Sequence, residues 1–213
     1  MTIVEPNTYI LFLWQNAYTI VIGRNQDAYA ELNIEAFSKD GGNLARRLSG
    51  GGAVYHDLGN LNFTLIANNE VFNKNGYYDI ILQTMKSLGL KAEFNGRNDV
   101  TIDGRKFSGN AFYDNGKVSF QHGTLLINCE TTKMQQYLTP NENKLQRNSV
   151  KSISSRVVNL VELFPEITVD TIKQSLIKTV NGTQLEQTLD TDLVRKRALC
   201  YASNDWIIRG RGF

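Results

Sequence analysis

The sequence predicts an α+β fold, a mixed and largely antiparallel sheet flanked by helices. Three observations lead there. Residues 99–128 read as three consecutive antiparallel strands, because Asp103-Gly104 and Asn115-Gly116 are strong hairpin turns between alternating runs. Two stretches, 76–90 and 168–180, carry apolar residues at helical spacing. Strands and helices do not alternate in the regular way of a doubly wound sheet.

In chain order, "YILFLW" (9–14) and "YTIVIG" (18–23) are apolar runs of strand length, joined by Gln15-Asn16-Ala17. Residues 33–40 read as a short helix, and "LNFTLIAN" (61–68) alternates as a strand does. In the 76–90 helix Tyr77, Ile81, Met85 and Leu88 share a face, and Gly89 favours its end. Residues 130–138 and 191–202 read as helices. Thr168 is placed to cap a helix with Ile172, Leu176, Ile177 and Val180 on one side. The polar segment 139–158 reads as a mobile loop.

A chain of 213 residues suits one good-sized domain, with two small ones as the alternative. Its 41% hydrophobic and 21% charged residues are ordinary for a globular protein. Two cysteines make no disulfide framework, and no apolar run reaches spanning length, so the cytoplasm is expected and a membrane partner is not. A net charge of +2 without a basic block argues against nucleic acid. His56 and His122 have no Cys or His neighbour at ligand spacing, which excludes a structural zinc site.

The segment "ARRLSGGGAVYHDLGN" (45–60) needs a reason, because glycine costs backbone entropy in ordered structure. One reading is a loop between strands. A Rossmann or P-loop site lacks its signature, since neither G-x-G-x-x-G nor G-x-x-x-x-G-K-[ST] occurs here. The remaining reading is an anion cradle, in which bare amides, a hydroxyl and a guanidinium converge. If Arg46 and Arg47 end a strand they face opposite ways, so one of them serves the cradle. A second segment, "GRNDVTIDGRKFSGNA" (96–111), sets Asn98 and Asp99 at a strand start and Lys106 just past a tight turn. A strand lysine is ordinarily a solvated outer residue. Phe107 and Gly109 beside it weaken that reading. Oxygen donors at 98–99 suit Mg²⁺, and a cradle plus a carboxylate–lysine hairpin suits adenylation, which must neutralise phosphate and align an acid with it.

These segments, with "HGTLLIN" (122–128) and "SVKSISSRVVNLVEL" (149–163) in the same order, resemble lipoate-protein ligase A. The resemblance runs from about residue 10 to about residue 165 and weakens beyond. It implies the biotin/lipoate-ligase fold, related to class II aminoacyl-tRNA synthetase catalytic domains. It also implies activation of lipoate or octanoate by ATP, with Mg²⁺, to lipoyl-AMP. The lipoyl group then passes to a lysine of a carrier: an oxo-acid dehydrogenase E2 lipoyl domain or the glycine cleavage H protein. By position, Arg47 corresponds to the nucleotide-contacting arginine, which also faces lipoate. The backbone of Gly52, Ala53, Val54 and Tyr55 corresponds to the ATP and adenylate lining. Ser49, Gly50, Gly51 and His56 fall on the lipoate side, with Asp57 ending the segment. Lys106 corresponds to the lysine touching both lipoate carboxyl and phosphate. Asn98 and Asp99 face nucleotide and metal, Asp99 being the Mg²⁺ residue. His122 is read as structural. The 139–158 segment corresponds to a loop that rearranges as adenylate forms. Leu48, Val54 and Phe63 are candidates for an apolar lipoyl tunnel.

Two departures from the family are expected to matter. Family members usually place a strand and helix ahead of the segment at Tyr9. Many carry an accessory domain after a "W-x-F-G" segment, where this chain has "DWIIRGRGF" (205–213). The expectation is one catalytic domain over 1–213 lacking both, with a separate accessory domain as a possible partner. Rival readings are an ATP-independent acyltransferase working through a Cys129 thioester, and a non-catalytic lipoate- or carrier-binding paralogue. Biotin ligases share the fold, but their Gly-Arg-Gly-x-x-Gly-Arg loop is not matched by "GRNQ" or "GRND".

Overall fold

The computed structural model describes residues 7–70, 72–96, 98–138, 157–186 and 190–210. In chain order the elements are β1 (Ile10–Trp14), β2 (Thr19–Ile22), α1 (Ala28–Glu31), α2 (Ile34–Lys39), β3 (Asn43–Arg46), β4 (Val54–His56) and β5 (Asn60–Asn68). Next come α3 (Lys74–Ser87), β6 (Glu93–Phe94), β7 (Asp99–Ile102), β8 (Arg105–Asp114), β9 (Val118–Leu126) and α4 (Thr131–Tyr137). The last are α5 (Leu160–Leu163), α6 (Val169–Thr179), α7 (Thr191–Tyr201) and α8 (Asn204–Ile207). The chain divides into two compact units.

The first unit takes Met1–Asn16, Asp57–Cys129 and Ser152–Thr183. Its sheet has the order β1-β5-β9-β8-β7-β6, antiparallel throughout. The expected hairpins supply its centre. Asp103 and Gly104 both take positive φ, which a two-residue turn of the primed type demands. The second turn has Gly116 at positive φ, and the Asn115 carboxamide accepts from the Lys117 and Val118 amides. One sheet face turns Leu61, Phe63, Leu65 and Ala67 of β5 against Tyr77, Ile81 and Met85 of α3 and Ile172 and Leu176 of α6. Each of the leucine, isoleucine, phenylalanine and methionine side chains among them, fully buried, contributes about 1.5–3 kcal/mol. The cap at Thr168 forms as expected. Ile177 does not join the core and is 41% exposed. It lies one residue past buried Leu176, and one helical step is about 100° of rotation.

The second unit takes Ala17–His56, Glu130–Lys151 and Gln184–Phe213. Its sheet has the order β3-β2-β4, with β2 parallel to β3 and antiparallel to β4. Helices α1 and α2 make the crossover that a parallel pair requires. Ile20, Ile22, Leu32, Phe37, Tyr55 and Trp206 are buried. Tyr18 donates to the Tyr137 hydroxyl, which donates to Asp40, and the Tyr18, Phe37 and Tyr137 rings pack together.

The runs at 9–14 and 18–23 are strands, but they enter different sheets. Tyr18, at positive φ, stands at the junction. The segment 139–158 lies outside the described residues except for Val157 and Val158. Among the described residues no helix is long and apolar enough to cross a membrane.

Candidate active site

The register of the six-stranded sheet assembles one polar face opposite its core. Trp14 pairs with Asn62, Asn62 with Thr124, Thr64 with His122, His122 with Ala111, and Gly109 with Asp99. Side chains alternate across a strand, so residues directly paired share a face. Trp14 Nε1 accordingly donates to Thr64 Oγ1 at 3.3 Å.

Lys106 and Asp99 meet at the β7–β8 end of this face, with Nζ 2.8 Å from Oδ1. The register slips by a bulge between Val100 and Thr101, where Lys106 pairs with Thr101. Gly109 makes the room: a Cβ there would sit 2.8 Å from the ammonium. The Lys106 main chain is held from its other side too. Val157 bridges it in parallel, and the Val158 amide donates to its carbonyl at 2.9 Å. The backbone is fixed while the ammonium stays accessible, with the lysine and aspartate side chains 37% and 33% exposed. A pair this exposed is worth about 0–1 kcal/mol, so an incoming anion displaces the carboxylate at little cost.

Asn98 stands beside this pair, its carbonyl accepting from the Asn110 amide and carboxamide. Asn110 in turn accepts from Gln121, and both are buried. His122 is half-buried on the open face, its ring 5.8 Å from Phe120. Gly123 belongs to the opposite face, because a Cβ there would strike the Phe63 ring at 2.7 Å. Phe63 is thus a core residue of the sheet. Leu48 and Val54 are half-buried in the other unit.

The glycine-rich turn belongs to the second unit. Arg47 follows the end of β3 and braces the turn from inside. Its guanidinium donates to the carbonyls of Gly50 (2.8 Å), Gly52 (2.7 Å) and Val21 (3.0 Å). Burial pushes its pKa down to about 10, which leaves it charged at neutral pH. A trans peptide sets N–H opposite C=O. With the Gly50 and Gly52 carbonyls aimed at Arg47, the amides of Gly51 and Ala53 point away from it. Gly50, Gly51 and Gly52 are exposed, and Gly51 takes φ +94°. Ser49 is buried, its carbonyl accepting from the Arg24 amide. Tyr55 and His56 are buried in β4, paired with Ile20 and Thr19.

The two arginines do face opposite ways. Sequence reasoning missed what Arg46 does: it is 5% exposed and donates to six backbone carbonyls. Asparagines 60 and 62 of β5 were also missed. Both are buried, with Asn60 Nδ2 on Asn62 Oδ1 at 3.0 Å. Only a pairing register reveals that they lie on the open face.

Asp99 fits a divalent ion in one limited way. Among the described residues no three His, Cys, Asp or Glu side chains group as a metal cage. Mg²⁺ commonly takes one or two carboxylates and completes its shell with phosphates and water. Cys129 is poorly suited to a thioester. It is buried, and burial together with the Asp57 carboxylate pushes its thiol well up, so thiolate is scarce at neutral pH. Asn159 pins its backbone, accepting from the Cys129 amide and donating to its carbonyl.

The model of the lipoyl protein ligase A/B catalytic domain matches residues 2–181. A lipoate-protein ligase A of Psychrobacter cryohalolentis is 42% identical over 174 residues, 82% of this chain and 51% of its own length. The chain thus spans about half the length of the curated relatives it matches. Among solved structures, P. falciparum LipL1 in complex with lipoate is 36% identical with a TM-score of 0.81, over 100% of this chain and 65% of that one. A lipoate-protein ligase A bound with ATP is 23% identical with a TM-score of 0.79, over 95% of this chain and 86% of that one, and shares the fold. The chain belongs to the lipoyl protein ligase A/B catalytic domain family.

Proposed function

We propose that this chain forms lipoyl-AMP from ATP and lipoate, or octanoate, and transfers the acyl group to one lysine of a lipoyl carrier domain. In the first step a carboxylate oxygen of the acid attacks the α-phosphorus and pyrophosphate leaves. In the second the carrier's ε-amine attacks the acyl carbon, AMP leaves and the amine loses a proton. Neither step needs an enzyme nucleophile, which agrees with the protonated Cys129. The carriers are E2 lipoyl domains and the glycine cleavage H protein.

The observation that carries this reading is the Lys106 ammonium, fixed through its backbone and held on a weak, exposed ion pair over Gly109. It is a cation ready to exchange one carboxylate for an acid and a phosphate. The outward amides of the glycine-rich turn receive the nucleotide, with Arg47 behind them holding the turn and adding its charge, and with Gly52, Ala53, Val54, Tyr55 and Asn98 as its lining. Ser49, Gly50, Gly51 and His56 border the acid. Asp99, with phosphate oxygens, would hold Mg²⁺, which would supply positive charge to screen the pyrophosphate. The whole of 1–213 acts as one catalytic domain in this reading.

Mass spectrometry of a carrier domain incubated with the chain, ATP, Mg²⁺ and lipoate tests it. A lipoyl mass that appears only with ATP is expected. Transfer without ATP, or none at all, overturns the reading.

A further inference from the structure

We propose that Arg46 is a positioning residue for the glycine-rich turn, and that the chain just after α8 holds it in place. The proposal rests on the adenylating reading above and adds a part outside the 2–181 match.

The Arg46 guanidinium divides its six acceptors between two segments. Nη1 donates to the carbonyls of Gly23 (3.0 Å), Arg24 (2.8 Å) and Gln26 (2.7 Å), in the turn after β2. Nε donates to Trp206 and Ile207, and Nη2 to Ile208, each at 2.9 Å. Those last carbonyls end α8, where helical partners run out. The Trp206 indole returns a bond, Nε1 to the Arg46 carbonyl at 2.9 Å. The Arg24 guanidinium lies 5.4 Å from the Trp206 ring centre. Gly210, at φ +65°, closes the end by donating to Trp206 and leaves no side chain between Arg24 and Arg46.

The clasped turn is also the seat of the glycine-rich turn. A Cβ on Gly23 would sit 2.1 Å from the Gly51 carbonyl oxygen, so the two backbones are in contact. The Arg24 amide donates to the Ser49 carbonyl at 2.9 Å. Arg47 reaches across to Val21. Arg46 fixes Gly23 and Arg24, and these fix Ser49 and Gly51. The path from Trp206 to the proposed phosphate-facing amides runs through backbone atoms and one buried guanidinium.

Two variants of the full chain test it. Trp206→Phe keeps a ring and removes the indole donor. Arg46→Lys keeps charge but has three donors for six acceptors. Hydrogen exchange read by mass spectrometry should show residues 47–54 exchanging roughly fivefold to tenfold faster in Trp206→Phe, the effect of one lost buried hydrogen bond. Residues 60–68 and 118–126 should be unchanged. In lipoate-dependent ATP–pyrophosphate exchange, KM for ATP should rise severalfold with kcat nearly constant, and Arg46→Lys should exceed Trp206→Phe in both readouts. Unchanged exchange at 47–54, an equal rise in every segment, or a faster turn with unaltered ATP dependence overturns the proposal. If the unmodified chain forms no adenylate, the functional reading fails, and exchange at 47–54 alone decides whether the clasp orders the turn.

Discussion

Lys106 and Arg47 are both cations beside functionally suggestive glycines, and they are held in opposite ways. Lys106 is held by a carboxylate, on a long antiparallel sheet, with a third of its side chain in solvent. Arg47 is held by backbone carbonyls of the loop it braces. The difference teaches what each can give up. An exposed ion pair is worth little, so Lys106 is free to change partners. Arg47 cannot leave its carbonyls without loosening the turn, so its charge and its structural service are one.

That comparison can be broken. The largest expected effect is Lys106→Ala, which should lower lipoate-dependent ATP–pyrophosphate exchange on the order of a hundredfold to a thousandfold, as for a lost preorganised donor. Its circular dichroism and melting temperature should stay close to wild type. A near wild-type exchange rate would remove Lys106 from the chemistry. Arg47→Ala should affect both properties. We expect a rate loss of roughly tenfold to a hundredfold and about 1.5–3 kcal/mol of stability, since hydrogen bonds to a charged group are lost. Urea melts and exchange kinetics on one sample check this, and a stable but inactive variant would separate the two services.

Smaller changes sharpen it. Gly109→Ala puts a methyl 2.8 Å from the Lys106 ammonium, the end of a flexible chain. The ammonium should swing aside with little effect on folding, while exchange falls about tenfold, a misplacement effect. The smallest effect expected is at Cys129. Iodoacetamide, or Cys129→Ala, should leave ATP-dependent lipoylation essentially unchanged, because the thiol is buried and protonated. Inactivation by alkylation at Cys129 would revive the thioester route.

The same contrast explains what the sequence could disclose. The Lys106 region was legible because its information is local. Asp-Gly and Asn-Gly turns set the hairpins, and strand alternation then sets faces. The bulge at Val100/Thr101 has no such signal, nor does the pairing that brings Asp99 opposite Gly109. Around Arg47, the three glycines announced an unusual backbone, and opposed arginines followed from strand geometry. The elements there are short: β3, β4, α1 and α8 have three or four residues each, too few for periodicity to show. The role of Arg46 depends on carbonyls some 160 residues away in sequence, and a carbonyl carries no residue identity to read. Phe63, one of three candidates for a tunnel lining by sequence, falls by its parity against α3 with Leu61 and Leu65.

One consequence follows from the peptide planes of residues 50–53. Turning two oxygens toward a guanidinium commits the matching nitrogens to the far rim, so this loop is polarised across its thickness like a small bar magnet. Its preference for the sign of an approaching ion is thereby written into main-chain geometry. Conservative exchange of neighbouring side chains leaves that preference standing, whereas flipping one of the two peptides cancels it and flipping both reverses it.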